Sequence, residues 1–295
     1  MITFAIPFYS GTDYLIRAID SILRQDTDDW QAVVCDDGPD PSIEDVVHAA
    51  GGGRVRYLRN PKNLGMAENW NRCVEVADTE LVTLLHGDDE LCPGYGTRML
   101  QAMAAHPRAA AAFCRYEVIG PESEPLLFSL TDRVKDLINP TGKHDTVLAG
   151  EPGMRALLRA NFIAAPSLCY RKSVLGTRRF VGDWKFVLDW ELTTRILLDG
   201  DELVGLPERL IRYRRHPDQA TEQLTRGKRR FSEEIDFYEK MRAAVLARGW
   251  DRCAAVAKQK RLTKLHVAYR TVRSAARLDL EDTRFGLALL RELST

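Results

Sequence analysis

Apolar and polar positions along this 295-residue chain alternate between short continuous apolar runs and stripes of helical spacing. Residues 2–8 form the first run, long enough for a buried strand. In 14–23, Leu15, Ile16, Ile19, Ile22 and Leu23 recur at the helical period, with Thr12 or Asp13 placed to cap the start. Runs at 30–35 and 54–58 read as the second and third strands. Between them, 41–50 opens on Pro41 and stops before Gly51, as a short helix does. A helix over 66–76 follows, with Trp70, Cys73 and Val74 on one stripe, then a strand at 81–85, a helix at 94–105 and a fifth strand at 109–119. Repeated β-α units of this length predict an α/β fold, a mostly parallel sheet with helices on both faces.

Residues 120–150 break the rhythm with Pro121, Pro125, Pro140 and several charges, and read as a long connection or mobile flap. Helical spacing returns at 151–160 and 189–198, with strands near 167–170 and 202–213. From Asp218 the pattern is helical and rich in Arg and Lys. The boundaries drawn are therefore 1–217 for the main domain and 218–295 for a C-terminal helical extension. Its basic helices suit a membrane surface, the body of the protein or a second subunit, as well as plain solvation.

Composition narrows this reading only a little. Lys+Arg and Asp+Glu stand at 42 each, so whole-chain charge gives no argument for nucleic acid as a partner. No apolar stretch approaches a bilayer span, and the first residues lack the pattern of a signal peptide, so the expectation is a cytoplasmic protein, peripheral to the membrane if it meets one at all. The six cysteines are scattered, without CxxC pairs, and read as free thiols.

The chemistry gathers at strand ends. The apolar run Leu81 to Leu85 stops in His86-Gly87-Asp88-Asp89. Adjacent carboxylates repel each other and are costly to desolvate unless a cation sits nearby, and a hard divalent ion takes oxygen ligands and bridges to a diphosphate. Alone, the dipeptide equally describes a solvated turn. But the first strand ends in Pro7-Phe8-Tyr9-Ser10-Gly11, the second in Asp36-Asp37-Gly38, and the third runs into Asn60-Pro61-Lys62-Asn63-Leu64-Gly65. In a doubly wound sheet such loops converge on one edge and make one nucleotide-sized crevice.

The ordered series Ile6-Pro7-Phe8-Tyr9, Val34-Cys35-Asp36-Asp37-Gly38, Asn63 to Asn71 and His86-Gly87-Asp88-Asp89 resembles the family 2 glycosyltransferases of GT-A, Rossmann-like fold. Leu188-Asp189-Trp190-Glu191-Leu192 and Tyr213-Arg214-Arg215-His216 extend the resemblance. It implies a nucleotide-binding half over 1–119 and an acceptor-binding half over 120–217. It implies that Asp36 accepts from the imide of uracil or thymine, that Pro7, Phe8 and Tyr9 flank the base, and that Asn63 and Gly65 approach the nucleoside. Asp88 would take the ribose, and Asp89 with His216 would hold Mn²⁺ or Mg²⁺. Arg212, Arg214 and the adjacent Arg215 would neutralise diphosphate oxygens. Asp189 would be the catalytic base, although Leu188 stands where relatives often carry an acid; the same residue type at a helix start also serves as an N-cap. Asp183, Trp184 and Trp190 are candidates for acceptor contact.

The function so implied is metal-dependent, inverting transfer of a sugar from a UDP or dTDP donor to the hydroxyl of a glycan, lipid-linked sugar or natural product. A nucleotidyltransferase is a rival, although Pro7 to Gly11 lacks the Gly-rich basic loop that class carries after its first strand. A catalytically silent nucleotide-sugar-binding or scaffold module, self-associating through the tail, is another.

Overall fold

The computed structural model describes residues 1–226 and 228–293. Nine strands form one sheet: β1 (Ile2–Phe8), β2 (Trp30–Asp36), β3 (Val55–Arg59), β4 (Leu81–Leu84), β5 (Glu90–Leu91), β6 (Ala109–Ile119), β7 (Thr146–Leu148), β8 (Cys169–Arg171) and β9 (Glu202–Arg214). Their order is β3-β2-β1-β4-β8-β6-β9-β5, with β7 also on β9. The first four are mutually parallel, and the chain reverses direction across the sheet between β1 and β4, the place where such sheets leave a crevice. Beyond β4 the sheet is mixed: β8 runs antiparallel to β4 and β6, and β5 and β7 antiparallel to β9, while β6 and β9 are parallel.

Strand alternation divides the core. Ile2, Phe4, Ile6 and Phe8 of β1 pack on one face against α1 (Thr12–Leu23), α2 (Ile43–Gly51) and, further along the sheet, α4 (Tyr95–Ala105). Ala5, Val33 and Cys35 face the other side, under α3 (Met66–Val76), α6 (Gly150–Arg159) and α8 (Leu188–Leu198). In α1 Leu15, Ile19 and Ile22 of the predicted stripe are buried, with Ala18 beside them, whereas Ile16 is exposed and Leu23 half-buried. Its N-cap, however, is Gly11 at φ 95°, not Thr12 or Asp13. The chain turns so sharply out of β1 that a left-handed residue is needed there, and glycine takes that conformation without strain.

Residues 120–150 are not a bare connection. They contain α5 (Leu130–Ile138), capped by Ser129 Oγ accepting from Asp132 N at 3.2 Å, and the short β7. Long-range ion pairs hold α5 in place: Asp136 accepts from Arg115 at 2.8 Å and from Arg209 at 2.8 Å. The short α7 (Lys172–Leu175) completes the body before α8.

The tail is helical, as its pattern predicts: α9 (Ala220–Arg226), α10 (Arg229–Ala247), α11 (Asp251–Gln259), α12 (Arg261–Ala276) and α13 (Leu280–Glu292). Phe237, Tyr238, Met241 and Val245 of α10 and Cys253 and Ala257 of α11 lie in the same core as α6 and α8. The Phe237 ring stands 4.2 Å from that of Trp190. Only α12 and α13 build a small cluster of their own, Val267, Leu289 and Leu293 around Phe231. All six cysteines are free and five are buried. Among the described residues no helix is long and apolar enough to cross a membrane. Because Phe237 is fully buried against α8, Phe237→Ala should cost about 3–5 kcal/mol of the stability of the whole fold, measured by urea unfolding. A loss confined to melting of the tail would show that α10 is not part of this core.

Candidate active site

The loops after β1, β2 and β4 meet at one end of the sheet because their strands are in register: Phe8 lies opposite Asp36, and Leu85 N donates to Ala5 O at 3.0 Å. A cleft of about 1620 Å³ opens there, lined by Pro7, Phe8, Tyr9, Asn63, Gly65 and Asp88 at one end and by helices of the tail at the other. Single-ligand pockets run to roughly 300–1,000 Å³, so this space accommodates two substrates side by side.

The end of the cleft nearest β1 and β2 is built on Asp37. Its carboxylate accepts from Leu64 N at 2.7 Å, Gly65 N at 2.9 Å and Asn60 Nδ2 at 2.9 Å, tying the second loop to the third. Gly65, at φ 79°, is the N-cap residue of α3 and lines the cleft. Gly38 is obligatory, since a Cβ there would stand 2.3 Å from Tyr9 O. Asp36, read as the base acceptor, lies fully buried beneath the wall. Its oxygens accept from Gly38 N at 2.8 Å and the Tyr57 hydroxyl at 2.6 Å, and the acid on the cleft surface is Asp37.

At the end of β4, Asp88 lines the cleft and Asp89 is fully buried. Burial works against the Asp88 charge, but the hydrogen bond to His216 Nε2 at 3.1 Å and the neighbouring histidines hold its carboxyl below the usual range. Burial, then repulsion from Asp88, pushes Asp89 well above it. Asp89 Oδ1 accepts from Arg214 N at 2.8 Å, whereas Asp89 Oδ2, 3.8 Å from His86 Nδ1, has no hydrogen bond among the described residues, and neither does His86 Nε2. Ligand atoms of His86, Asp88 and Asp89 all lie within 4.8 Å of one another. Burial also lowers the His86 pKa and keeps that imidazole neutral, the form that binds metals. A divalent cation fits this set: it would meet two bare buried atoms and relieve the repulsion between the acids. His86, which the sequence reading left without a role, is therefore a candidate ligand. His216 instead sits on Asp88, its ring 4.7 Å from that of Tyr14.

Two of the basic residues expected at a diphosphate are turned away. Arg214 is fully buried: Nε donates to Asp88 O at 2.7 Å, Nη1 to Gly120 O and Pro121 O, and Nη2 to Glu90 and Ser123. Arg212 pairs with the same Glu90 at 2.5 Å. Residues 212 and 214 share one face of β9, and the face turned to the cleft presents Tyr213 and Arg215.

Asp189 lines the same cleft in the first turn of α8, whose N-cap is Val187, so the aspartate is not the cap. Its Oδ2 accepts from Asn161 Nδ2 at 3.0 Å. Burial raises its pKa, opposed by that hydrogen bond and by Lys135. Lys135, on α5, is itself pushed down to about 8 by burial and by Arg230. Neither Asn161 nor Lys135 was anticipated; both depend on tertiary packing of segments with no motif. Of the acceptor candidates, Trp190 reaches the wall but is locked in the core, its Nε1 donating to Leu157 O at 3.1 Å. Trp184 is not on the wall and lies under Lys240, and the exposed Asp183 is off the wall as well; Lys185 and Phe186 line it instead.

The model of the family "Glycosyl transferase family 2" matches residues 3–162. An uncharacterized protein of Mycobacterium tuberculosis is 35% identical over 94 residues, 32% of this chain and 30% of that protein. The putative colanic acid biosynthesis glycosyl transferase WcaA of Escherichia coli is 22% identical over 256 residues, 81% of each chain. Among solved structures, S. aureus TarS in complex with UDP-GlcNAc superposes with a TM-score of 0.62 at 16% identity, over 99% of this chain and 80% of that one.

The buried Arg214 network carries a direct expectation for stability. Arg214→Ala keeps the backbone N–H to Asp89 but strips the guanidinium from Glu90 and from the carbonyls of Asp88, Gly120 and Pro121, and should cost about 3–5 kcal/mol in denaturant titration. Arg212→Ala removes a partly exposed pair to the same glutamate and should cost only about 1 kcal/mol.

Proposed function

The chain belongs to glycosyl transferase family 2 and is a glycosyltransferase of GT-A fold; from that membership we propose that it carries out metal-dependent, inverting transfer of a sugar from a nucleoside diphosphate to an acceptor hydroxyl. The observation that carries this reading is the pair of bare buried atoms, Asp89 Oδ2 and His86 Nε2, beside Asp88 in the cleft that also holds Asp189. Membership of this family leaves the nucleotidyltransferase and silent-module readings without an observation in their favour.

The base and ribose of the donor would lie against Pro7, Phe8, Tyr9, Asn63 and Gly65, with Asp37 at the surface and Asp36 fixing the turn below. UDP or dTDP suits a site of this kind, and the UDP-GlcNAc complex of TarS supports the UDP alternative. Asp89, Asp88 and His86 would hold Mn²⁺ or Mg²⁺, with His216 orienting Asp88. That ion would neutralise charge on the departing diphosphate. Arg215, on the cleft side of β9, takes the diphosphate role first read for Arg212 and Arg214.

Asp189 takes the proton from the acceptor hydroxyl as that oxygen bonds to the anomeric carbon. The bond from that carbon to the diphosphate oxygen breaks, and the nucleoside diphosphate leaves with the electron pair. Burial suits Asp189 to this work, because a raised carboxyl pKa makes a stronger base. Asn161 keeps it aimed and limits the rise. The acceptor, a glycan, lipid-linked sugar or natural product, would enter from the end walled by α8 and the tail.

Asp189→Asn should lower kcat by roughly 10²–10⁴-fold, measured as nucleoside diphosphate released from donor and acceptor. The acid limb of the wild-type pH profile should lie above the ordinary aspartate range, because the folded pKa is raised. It should move further up in Asn161→Ala, which removes a donor to the charged form. A limb that falls or stays put would reassign the base. Chelation of divalent ions, or Asp89→Ala, should abolish turnover; undiminished turnover in Asp89→Ala would overturn the metal assignment.

A further inference from the structure

Helix α12 presents three faces. Thr263, Val267 and Thr271 are buried. His266, Arg270, Arg273 and Arg277 line the far end of the cleft. The third face points outward: at 100° per residue Leu265, Val272 and Ala276 fall within roughly 40° of arc, and all three are exposed. Tyr269, 42% exposed, joins this stripe to the cleft-lining face.

The stripe runs into the turn between α12 and α13, where exposure peaks at Val272 (70%), Leu278 (83%) and Leu280 (65%). Leu278 sits at φ 60°, a left-handed conformation that a leucine adopts only against strain. The turn is ordered all the same, with Leu278 N donating to Ala275 O at 3.0 Å and Asp279 Oδ1 accepting from Asp282 N at 3.1 Å. A leucine that is both strained and wet contributes nothing to the fold; asparagine or glycine would serve the turn better. Near this apolar tip the side chains of Arg273, Arg277 and Arg284 make no hydrogen bond or ion pair among the described residues, whereas of the acids beside them Glu281 pairs with Lys228 and Asp282 with Lys228 and Arg270. Over 261–293, seven Lys and Arg stand against four Asp and Glu, in a chain whose total is neutral.

We propose that the α12–α13 tip is a membrane-docking surface: Val272, Leu278 and Leu280 enter the interface of a bilayer containing anionic lipid, and the surrounding arginines meet its headgroups. Exposed aliphatics beside free cations are the chemistry of an interfacial anchor. A second copy of the chain fits less well, because the acids it would offer to these arginines are engaged, Glu281 with Lys228 and Asp279 as the cap of α13. The docking itself does not depend on the catalytic assignment. Its consequence does rest on the transferase reading: the cleft end lined by Arg273 and Arg277 opens beside the lipid surface, which favours a lipid-linked acceptor over a freely soluble one.

The test is flotation of the full chain with vesicles of phosphatidylglycerol and phosphatidylcholine, against vesicles of phosphatidylcholine alone. Neither assay contains a nucleotide sugar, so its failure is separate from failure of the transferase reading. We expect binding to the anionic vesicles only, weakened by high salt. Leu278→Asn suits the left-handed turn better and should hold or raise Tm while vesicle affinity falls about tenfold. The double variant Val272→Ser, Leu280→Ser should fall at least as far. Binding to neither vesicle, equal binding to both, or unchanged binding by these variants overturns the proposal. A concentration-dependent dimer that the same variants dissolve would overturn it too, and assign the tip to self-association.

Discussion

The site depends on how three acidic residues in sequence, Asp88, Asp89 and Glu90, are held at the buried end of β4. Arg214, at the far end of the chain's last strand, is the answer. Its backbone N–H and its guanidinium between them reach Asp89, Glu90, the Asp88 carbonyl and the carbonyls that open the next segment. Only arginine offers five donors in a rigid planar fork, and a lysine would leave most of these acceptors bare. Because the fork fixes the end of β9 against the end of β4, the residues that follow are placed as well. His216 meets Asp88, and Arg215 pairs with Asp132 at the start of α5 at 2.9 Å. That helix in turn carries Lys135 toward Asp189.

Compensation on the protein side is deliberately one-sided. Arg214 satisfies the acids from beneath, leaving the buried Asp89 Oδ2 and His86 Nε2 without a hydrogen bond among the described residues. A fold selected for stability alone would not keep a fully buried carboxylate beside another and a dry imidazole with an orphaned nitrogen. On the reading proposed above, the mismatch would suit the place to a cation, which would recover energy that the protein alone forgoes.

The parallel half was legible because each of its elements is local. Continuous apolar strands and one-stripe helices carry their own signal, and the acids at strand ends follow from topology. What escaped were features decided by pairing between distant segments. Helix α5 was hidden in a polar, proline-bearing stretch because Arg115 and Arg209, far away in sequence, fix it through Asp136. The arginines before His216 were misassigned for a simpler reason. Residues 212–214 end β9 and Arg215 follows directly, so their side chains alternate, and the cleft receives Arg215 while Arg212 and Arg214 go below. That parity was available in the sequence; which parity faces the cleft was not. Asp36 and Asp37 repeat the lesson at the end of β2, where the buried acid shapes the turn and its neighbour meets the cleft.

The two ends of the cleft are built to different standards of rigidity. The end at the strand termini rests on the central sheet, on tightly bonded loops and on the family-matched residues 3–162. The far end is walled by α12, whose own cluster has only Phe231, Val267, Leu289 and Leu293 fully committed to it. Thin cores open at lower free energy than the body they decorate. The arrangement lets the acceptor wall move or diverge without disturbing Asp88, Asp89 or Asp189, because nothing in α12 or α13 supports them directly. It also explains why motifs in the first hundred residues read so clearly as nucleotide-sugar chemistry, while the identity of the acceptor left no trace in them. The family match ends at residue 162, so the part of the cleft walled by α8 and the tail lies outside it, in the segments where the sequence carried least signal.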